Sequence, residues 1–233
     1  MYEAVHSGAD GECADRLVGT AADYGFEGVV LWLDPDAESG IDPEALAAEH
    51  GIDVVAGVEI RAGSPGEADG RVNALREERT VLAVRGGTDT MNRFAVERPE
   101  VDVLARPMAG DGDVNHVLAK AAVENGVRLE FSLSPVLRQS GGRRVRALQS
   151  LRKLREVVGY YDAPVVVSAD PESRFELRAP RELAAVGEAI GFDRETIEDG
   201  LAEWGRLAER NRRIDSEAFI EPGVQAGRYD EDR

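Results

Sequence analysis

The chain has 233 residues, enough for one large α/β domain or two small ones, and its 42% apolar content excludes wholesale disorder. Its 45 acidic and 28 basic residues give a formal net charge of −17, which taken alone argues against a nucleic-acid partner. A single cysteine, Cys13, excludes a disulfide framework and a cysteine-based zinc site, and no apolar run approaches the roughly 20 residues of a membrane span.

The N-terminus, Met1-Tyr2-Glu3-Ala4-Val5, has no basic or long apolar stretch and is not expected to be a signal peptide, so the protein is expected to be cytoplasmic, with no membrane partner. Short β-branched runs predict strands at Tyr2–His6, Gly28–Asp34, Ile52–Arg61, Thr80–Arg85, Val101–Arg106, Val127–Ser132 and Pro164–Ser168. Helical patterns fill the intervals. Asp42-Pro43 supplies an N-cap with proline in the first helical position, and Ala179-Pro180 repeats the proline. Val114, Val117, Leu118, Ala121 and Ala122 have the spacing of a core-facing helix, which Gly126 ends. Helices over Arg181–Ile190 and Glu195–Arg213 finish the fold, and residues 214–233 read as a flexible tail. Seven β-α units with near-continuous apolar strands imply a parallel sheet covered by helices. There is no Gly-rich Rossmann turn and no P-loop. The expected fold is therefore α/β: one domain over 1–213, a distorted TIM-type (β/α) barrel of about seven parallel strands with additional C-terminal helices.

Function in such a barrel sits at the C-terminal strand ends. These ends read His6, Asp34, Glu59 with Arg61, Arg85, Arg106, Ser132, and Ser168 with Asp170. Arginines close three consecutive strands, and a buried guanidinium needs a carboxylate or an anion. Glu59 or Asp170 can neutralise one of them. All three being neutralised internally is not expected, so phosphate is the natural external partner. Asn92-Arg93 and Asn115-His116 lie at helix first turns, where they can reach a phosphate or simply cap the helix.

Charge is also unevenly placed. Residues 1–78 hold 18 acids and four bases, whereas 138–155 hold seven bases and no acid: Arg138, Arg143, Arg144, Arg146, Arg152, Lys153 and Arg155. The segment reads as a flexible Ser140-Gly141-Gly142 loop leading into a helix. Its expected apolar stripe is Val145, Leu148, Leu151 and Leu154, with Arg143, Arg146 and Lys153 outward. Such an island in an acidic chain points to anion or nucleic-acid binding. Only two of the 28 bases are lysines, and an acid-rich, lysine-poor chain suits a cytosol of molar salt, so the source reads as a halophile. Metal catalysis has little support: the three histidines, His6, His50 and His116, show no ligand spacing, although Glu59, Asp170 and Glu172 offer hard oxygen donors. Cys13 reads as a buried helix thiol.

The runs from Ala83 to Glu97 (AVRGGTDTMNRFAVE), Val101 to Pro107 (VDVLARP), Val114 to Lys120 (VNHVLAK), Pro164 to Asp170 (PVVVSAD) and Glu176 to Leu183 (ELRAPREL) resemble the ribonuclease P protein component 3 family, in its haloarchaeal type. The resemblance spans about residues 1–213 and implies a PHP-like barrel, a fold whose enzymatic members bind metals at the strand ends. This chain departs from that metal pattern. The first-strand H-x-H reads Ala4-Val5-His6, Gly57-Val58-Glu59 keeps one carboxylate, Arg85 and Arg106 stand where histidine can occur, and the last D-x-H reads Asp170-Pro171-Glu172.

The family implies a subunit of a ribonucleoprotein that removes the 5′ leader of precursor tRNA, with chemistry carried by RNA-bound magnesium and no cofactor or catalytic residue on this chain. It implies ribonuclease P RNA, precursor tRNA, component 2 and other subunits as partners. The RNA-binding set expected here is Arg61, Arg85, Asn92, Arg93, Arg106, Asn115, His116, Arg138, Arg143, Arg144, Arg146, Lys153 and Arg178. The alternatives are a PHP-type metal-dependent phosphoesterase and a scaffold that touches only proteins.

Overall fold

A computed structural model describes residues 1–7, 10–34, 36, 40–215, 219–221 and 224–225. Seven parallel strands follow one another in sequence order around a single sheet: β1 (Tyr2–His6), β2 (Gly28–Trp32), β3 (Asp53–Ile60), β4 (Val81–Arg85), β5 (Val103–Ala105), β6 (Arg128–Ser132) and β7 (Val165–Ser168). Helices α1 (Gly11–Asp23), α2 (Pro43–His50), α3 (Pro65–Leu75), α4 (Asp89–Val96) and α5 (His116–Asn125) link the first six. Between β6 and β7 come α6 (Ser134–Arg138) and α7 (Gly141–Tyr161), and α8 (Pro180–Ile190) and α9 (Arg194–Ile214) follow β7. The fold is the expected distorted (β/α) barrel. Asp42 and Asn115 cap their helices with side-chain oxygens, and Gly51 and Gly126 end them in the left-handed conformation that glycine adopts at little cost. No described helix is long and apolar enough to cross a membrane.

Strand alternation sends one set of side chains outward, where Val29, Leu31, Leu82, Leu104, Leu129 and Phe131 meet the helices. The other set points into the lumen and, apart from Trp32 at the end of β2, is small: Ala4, Val30, Val55, Val81, Ala83 and Val103. These residues cannot fill a barrel, and α9 fills it for them. Trp204, Leu207 and Ala208 pack against this inner set, and Trp204 Nε1 donates to the Val167 carbonyl at 2.9 Å. At the lower rim Asn211 Nδ2 donates to Thr80 O at 2.8 Å and to the buried Asp102 carboxylate at 2.9 Å. Close approach depends on Gly200, where a Cβ would lie 2.5 Å from the Val167 side chain.

The ring closes between β1 and β7 through a buried side chain. The Glu3 carboxylate accepts from the N–H groups of Ala4 and Ala169 and from Ser168 Oγ, and His6 N donates to Pro171 O at 2.9 Å. Burial pushes the Glu3 carboxyl up to about 7, against the lowering effect of those hydrogen bonds. An unfolded carboxyl releases its proton near 4.5, so the folded state binds more protons between about 4.5 and 7. This contribution to stability is full below that window, falls as pH rises through it, and is level above. Glu3→Gln, which cannot titrate, is expected to remove that fall. Denaturation midpoints of both proteins from pH 4.5 to 8 test this, and parallel curves would contradict it.

Two readings of the sequence need correction. Helix α7 begins at Gly141, without a flexible lead-in, and its buried stripe is Leu151, Leu154 and Val158. Val145 is 53% exposed, because the first turns of α7 overhang the barrel before the helix settles on the core. Cys13 is half-buried on α1, not fully buried. The expected flexible tail falls largely outside the described residues, within which Phe219–Glu221 pairs antiparallel with Val224–Gln225.

Candidate functional site

The two-residue alternation that fills the lumen also points His6, Glu59, Arg85, Glu130 and Ser132 into the upper mouth, at the C-terminal ends of β1, β3, β4 and β6. Arg106 breaks the alternation. Ala105 already faces inward, so Arg106 would face outward in an extended strand, but its φ of 48° turns the chain and brings the guanidinium back over the mouth. Asp170, which it meets, has a φ of 51°. Two non-glycine residues in the left-handed region at facing strand ends mark stored backbone strain.

The network is tight. Glu59, 4% exposed, takes Arg85 Nε and Nη2 at 2.9 Å each and Arg61 Nε at 2.6 Å. Burial favours its neutral acid, yet Arg85, His6 and Arg61 outweigh this and hold the carboxyl below its usual range. Asp170 lies 2.6 Å from His6 Nε2 on one oxygen and pairs with Arg106 through the other. Arg61 Nη2 lies 3.4 Å from His6 Nδ1, so a neutral imidazole donates from Nε2 and has both nitrogens in use. Burial, reinforced by the three arginines, pushes His6 down to about 4. Beneath them Glu130 accepts the Arg106 N–H at 2.7 Å, and burial pushes its carboxyl up to about 6.

All three strand-end arginines thus have an internal carboxylate partner, Arg61 and Arg85 sharing Glu59, contrary to the expectation that an external phosphate must serve one of them. Period-two geometry explains it: Glu59 and Arg85 are lumen neighbours on adjacent strands, and Asp170 turns in toward Arg106. The same pairing answers the metal question that the fold raises. Glu59, Asp170 and His6 are each already bonded to an arginine or to another of the three, which leaves Glu172 as the one uncommitted donor among the expected ligands, and three guanidinium groups oppose a cation at the mouth. These residues do not fit a bound metal. Among the described residues, the group of donors close enough to hold a cation is Asp15, Glu49 and His50, on α1 and α2, away from the mouth.

The basic island divides in the structure. Arg138 spans the end of β7, donating to Ser134 Oγ and to the carbonyls of Ala169 and Asp170, and it pairs with Glu176 at 2.8 Å. Lys153 pairs with Asp113, and Arg144 Nη2 reaches Leu137 O at 3.4 Å. Arg143 and Arg146 are exposed and line the mouth beside Arg106. Arg178 donates to Phe175 O and Leu177 O, apart from that group. Arg93 and Asn115 share a shallow hollow between α4 and α5, and His116 is exposed on the first turn of α5.

Asn92 does not belong in a contact set. It is fully buried, accepting from Gly87 N at 3.0 Å and donating to Pro107 O at 2.8 Å and Asp113 O at 3.0 Å. Its amide staples the loops after β4 and β5 and has no face left for a ligand. Asn92→Ala is therefore expected to cost about 1–3 kcal/mol by stranding buried backbone groups. Denaturant titration measures this, and an unchanged midpoint would contradict it.

Glu130 and Glu3 are site and seam residues that sequence reasoning did not single out. The available signal was an acid inside an apolar strand, as in Val127-Arg128-Leu129-Glu130-Phe131.

Residues 3–215 match the profile of a family described as RNase P subunit p30. A Halorubrum lacusprofundi protein named ribonuclease P protein component 3 is 56% identical over 240 residues, covering 100% of both chains. Its namesake from Natronomonas pharaonis is 56% identical over 231 residues, covering 99% of this chain and 97% of its own. A chain in a cryo-EM structure of archaeal ribonuclease P with mature tRNA superposes with a TM-score of 0.82 at 20% identity, over 100% of each chain, a likeness of fold.

Proposed function

The chain belongs to the RNase P subunit p30 family, and we propose that it serves ribonuclease P as an RNA-supporting subunit that does no chemistry of its own. Ribonuclease P is the endonuclease that removes the 5′ leader of precursor tRNA, and this chain is one of its protein subunits. One observation carries the assignment of role. The carboxylates and imidazole at the barrel mouth, where a metal would be held, are committed to Arg61, Arg85 and Arg106. A mouth so organised holds polyanions at its rim and does not activate water. The chemistry is then left to magnesium bound by the RNA.

The contact surface follows from exposure. Arg143 and Arg146, with Arg93, Asn115 and His116 on a neighbouring face, are placed to meet phosphates; Arg61, Arg85, Arg106 and Arg138 shape the mouth beneath them. In molar salt counterion release contributes little, so binding leans on short bidentate arginine contacts. Component 2, other protein subunits and a cytoplasmic setting complete the reading. Photocrosslinking of the chain to ribonuclease P RNA in molar salt tests it, and crosslinks at 143–146 are expected. Crosslinks only to protein subunits would favour a protein-only scaffold.

A further inference from the structure

Two hollows open at the mouth and share Glu172. One, of about 640 Å³, leans acidic, with Asp34, Asp36 and Glu59 facing Arg61 and Arg71. The other, of about 680 Å³, lies between the loop after β5, the end of β6 and the first turns of α7, and it leans basic. Its cations are Arg106, Arg138, Arg143 and Arg146, facing Glu130, Glu172 and Glu176. Glu176 is occupied by Arg138, and Glu130 by the Arg106 N–H. Arg143 and Arg146 make no ion pair or hydrogen bond among the described residues, which leaves two free guanidinium groups facing exposed Glu172 at the rim and buried Glu130, whose carboxylate takes a backbone N–H.

The floor carries the second observation. Ser132 is 6% exposed, lines this hollow, and its Oγ has no hydrogen-bond partner; Arg106 pairs with Asp170 through Nη2, and its buried Nε has no partner. Buried polar groups are rarely left unpartnered, and two such donors on residues that line one hollow point to a ligand whose acceptor atoms reach them there. Pro107, Met108, Ala147 and Leu151 supply apolar wall between rim and floor. The volume exceeds what a phosphate needs and falls in the range of small-molecule sites. We propose that this hollow binds one ribonucleotide unit, its phosphate on the guanidinium forks of Arg143 and Arg146 and the oxygens of its sugar or base on Ser132 Oγ and Arg106 Nε. The unit is either a nucleotide of a single-stranded RNA segment or a free nucleoside monophosphate. The inference rests on the RNA-supporting role and names the chemistry of its contact.

The test is calorimetric titration of the full chain, in molar salt, with uridine 5′-monophosphate, uridine, inorganic phosphate and hexauridylate. The monophosphate or the hexanucleotide is expected to bind, with uridine weaker by about tenfold or more, because it lacks the charged contact. Arg143→Ala/Arg146→Ala, both at exposed positions, is expected to weaken binding by a similar factor at unchanged thermal midpoint. Ser132→Ala is expected to weaken it severalfold. Tighter binding of the hexanucleotide assigns an RNA strand as the source; binding of the monophosphate alone assigns a free nucleotide. No binding of either, or binding unchanged in the double variant, overturns the pocket. Cleavage of precursor tRNA by the reconstituted holoenzyme is followed in parallel. If the wild-type chain supports cleavage but the pocket fails, the role stands without it. If the wild-type chain does not support cleavage, the role fails, and the titrations still decide the pocket.

Discussion

Trp204→Ala is expected to lower the unfolding free energy by about 3–5 kcal/mol, the cost of emptying a large buried aromatic site. The indole is fully buried and packs edge-on against Trp32 at 5.8 Å and 75°. Its surroundings are poorly able to collapse, because the walls are strands held in register by their ladders and lined by side chains as small as Ala4 and Ala83. The truncation also leaves the Val167 carbonyl without its donor. Since α9 supplies the filling of the lumen, the damage is expected to extend along that helix, with faster hydrogen exchange over 197–211 than elsewhere. Trp204→Phe, which keeps most of the volume, is expected to cost distinctly less. Denaturant titration in molar salt measures both, and a loss below about 1 kcal/mol for the alanine variant would show that α9 does not fill the barrel.

Glu59→Ala is the corresponding change at the mouth. It strands two guanidinium groups that share one carboxylate, with Arg106 near by. Breaking a buried pair from one side costs about 3–5 kcal/mol. Here solvent moderates the cost, because Arg85 is 28% and Arg61 53% exposed, and about 2 kcal/mol is expected. The variant also frees an anion site. Phosphate or sulfate is expected to raise its thermal midpoint more than that of the wild type, because an anion that binds only the folded state stabilises it by mass action. Glu59→Ala/Arg85→Ala is expected to recover part of the loss. A midpoint that ignores anions, with no recovery in the double variant, would show that Glu59 does not hold the arginines.

The strands were readable because β-branched runs between capped helices leave little ambiguity, and in every case the structure trims them by no more than a few residues at their ends. The shortest, β5, stops at Ala105 because Arg106 turns left-handed, a backbone state that composition does not announce. Glu59 and Arg61 stand two apart, so their encounter was legible. That Asp170 can serve a strand-end arginine was legible from the barrel, but not that Arg106 is the one, since 64 positions separate them and a left-handed turn at each brings them together. The helix over Glu195–Arg213 was legible as an element, but not that its buried face enters the lumen. Asn92 misled for a related reason: a polar residue in a helix's first turn reads as exposed until the loops after β4 and β5 fold over it. The basic island was legible as charge, but which of its members stay free depended on where Asp113 and Glu176 lie. The net charge of −17 argued against a nucleic acid only as a sum, because exposed Arg143 and Arg146 stand without an ion pair among the described residues.

The role proposed for this chain is support of an RNA that does the chemistry. Its most direct test is cleavage of precursor tRNA by RNA and protein subunits reconstituted in high salt, with and without this chain, across a magnesium series, beside the purified chain alone with magnesium, manganese or zinc. The chain alone is expected to leave precursor tRNA intact with every metal, and adding it to the assembly is expected to lower the magnesium needed for cleavage. Metal-dependent cleavage by the chain alone, or an assembly whose magnesium requirement is the same without it, would contradict the account.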